Sequence, residues 1–158
     1  MCMKKFRGLL FAFICFICLF LVSGCSSKTA IGSEDFKVMM DSKDFKIIDA
    51  TSQFVKEEYV KKVYVASSSD SAYQIEFYEF DTDQNGLDFY NTNVNIFEKN
   101  KDNSSLKTTV SIGKYNKYVL SGNNKYQVVS RIGNTAVYVD ADAKYKDNIK
   151  SIIEELGY

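Results

Sequence analysis

KYNKYVLSGNNKYQVVSRIGNTAVYVDA, Lys114 to Ala141, reads as three extended segments separated by two turns. KYNKYVL, KYQVVSRI and TAVYVDA are rich in Tyr, Val and Ile, the residues that fit a pleated, half-buried surface. Gly133-Asn134 has the chemistry of a two-residue hairpin turn, and Ser121 to Asn124 supplies another. The segment is therefore an antiparallel meander.

The same reading extends in both directions. LKTTVSI, Leu106 to Ile112, adds a strand upstream. Downstream, Tyr145, Ile149, Ile152, Ile153 and Leu156 form a helical stripe, with Asp142 able to cap its start and Gly157 to close its end. Further upstream, KVYVAS and AYQIEFYEF flank a polar turn and predict a hairpin. Leu87, Tyr90, Val94 and Phe97 predict a helix running to about Lys99. Ser33 reads as the cap of a short helix carrying Phe36, Met39 and Met40. FKIID, Phe45 to Asp49, reads as a short strand, and Ser52 to Lys62 as an irregular helix or extended linker. The expected fold is α+β: an antiparallel or mixed sheet of five to seven strands with about three helices packed on one face. No Pro and no Gly-rich linker divide it.

The beginning of the chain has a different character. Lys4, Lys5 and Arg7 precede a 14-residue apolar run from Leu9 to Val22, shorter than the roughly 20 residues of a spanning helix. LVSGC, Leu21 to Cys25, follows. This resembles the signal peptide and lipobox of bacterial lipoproteins, and the composition suits a Gram-positive source. The whole chain also resembles the short lipoproteins of unassigned function from such bacteria. The resemblance implies cleavage after Gly24 and attachment of diacylglycerol to Cys25; apart from that lipid no cofactor is expected. It places the domain on the outer face of the cell membrane, lipid-anchored. An uncleaved anchor is the alternative. The expected organisation is a signal peptide over 1–24, a lipidated terminus and tether over 25–33, and one domain over 34–158. Cys2, Cys15 and Cys18 would leave with the peptide, so no disulfide is expected. Loss of three cations from 20, against 20 carboxylates, leaves a net charge of about −3, which offers no footprint for nucleic acid.

Catalytic chemistry has few routes here. Without His or a mature free thiol, Ser-His-Asp and Cys-His arrangements and His- or Cys-ligated zinc are excluded. Ser67 to Ser71 offers hydroxyls for a Ser-Lys arrangement but coincides with a turn. Glu76 and Glu79 differ by three along a strand and so point to opposite faces. In FDTDQNGLDFYNT, Asp81, Asp83 and Asn85 hold the first, third and fifth positions of a calcium loop. Its twelfth position is Thr92, where a bidentate Glu is required. The stretch reads instead as a turn in which Asp81 or Asp83 caps the following helix, and no metal is expected. Arg131 is the one arginine after the lipobox. It shares a strand face with Gln127 and Val129, and Glu76 and Tyr78 could join it as a candidate ligand face or as an Arg–Glu pair between strands. Tyr64, Tyr118 and Tyr138 could lie on exposed faces able to meet sugars or peptides, although Tyr alternating with Val and Ile is chiefly a packing pattern.

The expected role is a non-catalytic, lipid-anchored extracytoplasmic binding domain that meets a cell-surface protein or glycan. The alternatives are a small surface enzyme using carboxylates or Ser-Lys, and an assembly or structural factor of the envelope.

Overall fold

Neighbouring residues of a strand point to opposite faces, so Phe77 beside Tyr78 and Val128 beside Val129 demand a sheet covered on both sides. The computed structural model describes residues 28–158 and has this arrangement. Its elements are α1 (Ser33–Asp41), β1 (Lys46–Asp49), β2 (Val60–Ser67), β3 (Gln74–Phe80) and α2 (Asp83–Asn100). They continue with β4 (Leu106–Ile112), β5 (Tyr115–Gly122), β6 (Lys125–Ile132), β7 (Thr135–Asp142) and α3 (Lys146–Glu155). The seven strands form one antiparallel sheet in the order β1-β2-β3-β7-β6-β5-β4. The α+β class, the strand number and the three helices agree with the sequence reading. The region from Ser52 to Lys62 divides into a 3-10 turn over Thr51–Phe54 and the start of β2.

The distribution of helices differs from expectation. On the first face, Phe36 and Met40 of α1 and Ile149 and Ile153 of α3 meet Phe77, Val128 and Val137, with Phe36 stacked on Phe77 at 4.9 Å. On the second face, Tyr90 and Phe97 of α2 cover Tyr118, Leu120 and Val129, and Phe89 packs on Tyr78 and Phe80. Only two of the three helices therefore share a face. The physical reason is that alternate positions of β3, β6 and β7 are apolar on both sides, so neither face could be left in water. Tyr64 and Tyr118 are buried, and Tyr138 is partly so, stacking on Phe97 at 5.5 Å.

Helix starts also differ in detail. Gly32, not Ser33, occupies the cap of α1, and no side chain accepts a hydrogen bond there. α2 begins four residues before Leu87, because Thr82 is its cap: the Thr82 hydroxyl oxygen accepts from the Asn85 amide at 3.2 Å. Gly86 then lies within the first turn, where a Cβ would stand 2.8 Å from the Gly133 carbonyl oxygen. Its missing side chain lets α2 sit directly on the β6–β7 turn. At the other end of the chain, the Asp142 carboxylate accepts from the Lys144 amide and so caps the 3-10 turn Ala143–Tyr145 in place of α3. The cap position of α3 itself is Tyr145, with no side-chain hydrogen bond. Gly157 takes a φ of 87° after α3, as expected.

The last turns of α2 are tied to the β4–β5 hairpin through Glu98. Its carboxylate accepts from Tyr118 at 2.8 Å, from Lys101 at 2.8 Å and from Lys107 at 3.0 Å. Hydrogen bonds from Lys101, then from Tyr118 and Lys107, hold its pKa at about 2, below the ordinary value of 4.5. A carboxyl group whose folded pKa is depressed contributes stability above its unfolded pKa and loses it as pH falls through the folded one. The melting temperature of the wild type should therefore fall between about pH 4.5 and pH 2 with a contribution that Glu98→Gln lacks. Thermal melts of both proteins across that window check this, and parallel curves would remove Glu98 from the acid response.

Candidate functional site

Arg131, Glu76 and Tyr78 do share a sheet face, as alternation predicts. Register carries Arg131 across Ala136 to Tyr78, and Val129 across Tyr138 to Glu76. That face, however, lies under α2. Arg131 is only 5% exposed and Tyr78 only 7%. The guanidinium donates through Nη1 to the Asp83 carbonyl at 3.0 Å and through Nη2 to the Lys114 carbonyl at 3.2 Å, while Nε is buried with no hydrogen-bond partner among the described residues. Among the described residues Arg131 makes no ion pair, so the expected Arg–Glu bridge does not form. Glu76 instead accepts from Tyr78 and Gln74. Arg131 is a clamp joining the start of α2 to the β4–β5 turn, and the three residues do not compose an open ligand face.

The DTDQNG stretch is a capped turn, with the cap moved from Asp81 or Asp83 to Thr82. Asp81 accepts from the Asn85 side chain at 2.6 Å, and Asp83 pairs with Lys114 at 2.5 Å. Both carboxylates thus already have partners within the protein. Among the described residues no group of three or more His, Cys, Asp or Glu side chains converges on one point. In the Ser67 to Ser71 turn the Ser68 hydroxyl donates to Asp70 at 2.7 Å and accepts from the Ala72 amide at 3.0 Å, a turn-forming role. Cys25 and Gly24 lie outside the described residues. Among those residues, no helix is long and apolar enough to cross a membrane.

The accessible site lies on the first face, where the sheet extends beyond α3. Among the described residues β4 pairs only with β5, and it turns Leu106, Thr108 and Val110 toward this side. These join Val119 of β5, Tyr126 of β6 and Tyr158 in a hollow of about 520 Å³. Its rim carries Lys28, Lys117, Lys146 and Lys150, against Glu154 as its one acidic side chain. Lys150 is loosely paired with Glu154 at 3.9 Å, and no Asp or Glu carboxylate lies within salt-bridge distance of the other three among the described residues. Lys28 donates to the Gly157 carbonyl at 2.6 Å and sits over the Tyr115 ring; Lys117 donates to the Tyr158 main-chain oxygen at 3.1 Å. Partial burial of Lys117, reinforced by the Lys28 charge, lowers its pKa below the ordinary lysine value. Lys28 and Tyr115 also border a second hollow of about 750 Å³, which includes Ile112 and Gly113 at the β4–β5 turn.

A groove with an apolar floor and a cationic rim suits an anion that carries apolar substance, since water is displaced below while charge is met above. The sequence alone gave no notice of it. Its lysines come from the tether, β5 and α3, and only the folded sheet brings them together. Compared with protein-family models, with curated proteins and with solved structures, the chain matches none of them.

Proposed function

We propose that this chain is a lipid-anchored extracytoplasmic domain that acts by binding at the cell surface and not by catalysis. The observation that carries the binding part is the groove beside α3, where four lysines face one acidic side chain above an apolar floor. The LVSGC motif supports the anchored part, with Cys25 as the lipidated residue and Gly24 as the last residue removed. Against the enzymatic alternative stand the strand parity of Glu76 and Glu79 and the prior hydrogen bonds of Ser68. One observation favours an assembly or structural factor as the second reading: β4 is an exposed edge strand, with Leu106 74% and Ile112 66% accessible. Such an edge is a template for pairing with another chain.

Metabolic labelling with a fatty-acid analogue tests the anchor. Label is expected on the wild type and none on Cys25→Ala; membrane retention of an unlabelled wild type would instead establish an uncleaved anchor. For the binding part, the chain from Ser26 onward should gain melting temperature with a ligand that it does not turn over. Stabilisation amounts to about 2.7 kcal/mol at a hundred times the dissociation constant.

A further inference from the structure

We propose that the lysine-rimmed groove receives the phosphate headgroups of anionic phospholipids in the membrane that holds the chain, so that the β4–β5 face is turned toward the bilayer. The inference deepens the binding reading and takes from the anchored reading the presence of a membrane. Two independent observations choose this occupant. The first is charge and shape together. Lys28, Lys117, Lys146 and Lys150 surround a floor containing Leu106, Val110 and Val119. A free inorganic anion would leave that floor in water, whereas a phospholipid presents a phosphate and adjoining methylenes in the required order. Lys117 donates to the Tyr158 main-chain oxygen and is held beside Lys28 and Lys150, with Glu154 opposing them, and a phosphate oxygen would add negative charge among these cations.

The second observation is the short distance along the sequence from the groove to Cys25. Lys28 forms one wall of the groove and lies three residues after Cys25. Three residues span at most roughly 11 Å when extended. A lipid on Cys25 would therefore hold this rim within about one screening length of the headgroups, given a Debye length of about 8–10 Å at moderate salt. The exposed Ile112, beside Lys28 in the adjoining hollow, presents apolar surface at the same end. An acidic protein segment would have to enter between the domain and its own membrane. The net charge of the domain is negative, so the attraction is a property of this one face.

The test uses the chain from Ser26 onward, which contains every residue of the three cores, after a cooperative melt has shown it to be folded. It is sedimented with phosphatidylcholine vesicles and with vesicles that also contain phosphatidylglycerol. Binding to the anionic vesicles only, weakened by added salt, is the expected result. Each lysine near an anionic surface is worth roughly a fivefold change in affinity, so Lys146→Gln with Lys150→Gln should weaken binding roughly 25-fold. Both positions are exposed on α3, and the double variant should melt like the wild type. Lys61→Gln with Lys99→Gln, exposed elsewhere, should bind unchanged. Equal sedimentation with both vesicle types, or full binding by the α3 double variant, overturns the proposal. So does saturation of the groove by inorganic phosphate alone at the same phosphate concentration, or stronger binding of an acidic peptide than of the vesicles. Because this protein carries no lipid, failure here and failure of labelling at Cys25 are separate results.

Discussion

Phe97→Ala should cost about 3–5 kcal/mol of folding stability, as much as Phe77→Ala on the opposite side of the sheet. Both side chains are fully buried, Phe97 on the sheet-facing side of α2 against Tyr118 and Tyr138, Phe77 of β3 against Phe36 of α1. Each truncation removes the transfer free energy of a ring and leaves a cavity that rigid neighbours do not close. Equilibrium unfolding in urea should show both midpoints moved down by similar amounts. If Phe97→Ala cost less than about 1 kcal/mol while Phe77→Ala cost the full amount, the second face would not be a true core. The comparison thus tests the placement of α2, the one feature of the architecture that the sequence reading had otherwise.

Arg131→Lys should lower stability by about 1.5–3 kcal/mol, the contribution of a hydrogen bond to a charged group. The guanidinium reaches the Asp83 and Lys114 carbonyls at once through its two terminal nitrogens. A lysine ammonium at the end of a single stem cannot span both in that geometry. One carbonyl would lose its donor, and the buried cation would remain with less compensation; burial already lowers the Arg131 pKa, opposed by Asp83. A lower melting point with unchanged vesicle binding is the expected pattern. An unchanged melting point with lost ligand binding would return Arg131 to the role of a ligand residue. Arg131→Met, which removes the charge together with the donors, separates the loss of hydrogen bonds from the cost of leaving a cation buried.

The elements were legible where local pattern and turn chemistry agreed. β5, β6 and β7 follow from alternation, Gly133-Asn134 and the polar Ser121 to Asn124 turn, and α3 follows from its five-residue stripe. The start of α2 was obscured by Gly86, which looks like a helix breaker. It is kept for its close approach to Gly133, a tertiary reason with no local signature. The covering of both faces was written in Val128-Val129 and Phe77-Tyr78, yet parity says only which side a residue faces, not what lies above it. Arg131 shows the same limit: its face was right and its cover was invisible. The groove was least legible, because Lys28 and Lys150 are far apart in the chain and each is an ordinary surface lysine until β4, β5 and α3 stand side by side.

The strand order has a consequence in time. Every pairing joins neighbours in the chain except that of β3 with β7, and across that seam Asn134 reaches Phe80 over a separation of 54 residues. β1–β2–β3 and β4–β5–β6–β7 are two ribbons that can each zip from local turns, whereas their union waits on the slower closure of a long loop. A polypeptide emerging from its amino end would expose the outer edge of β3 until almost its whole length had been delivered. Shortening it before Thr135 should leave two unjoined ribbons in place of a smaller sheet.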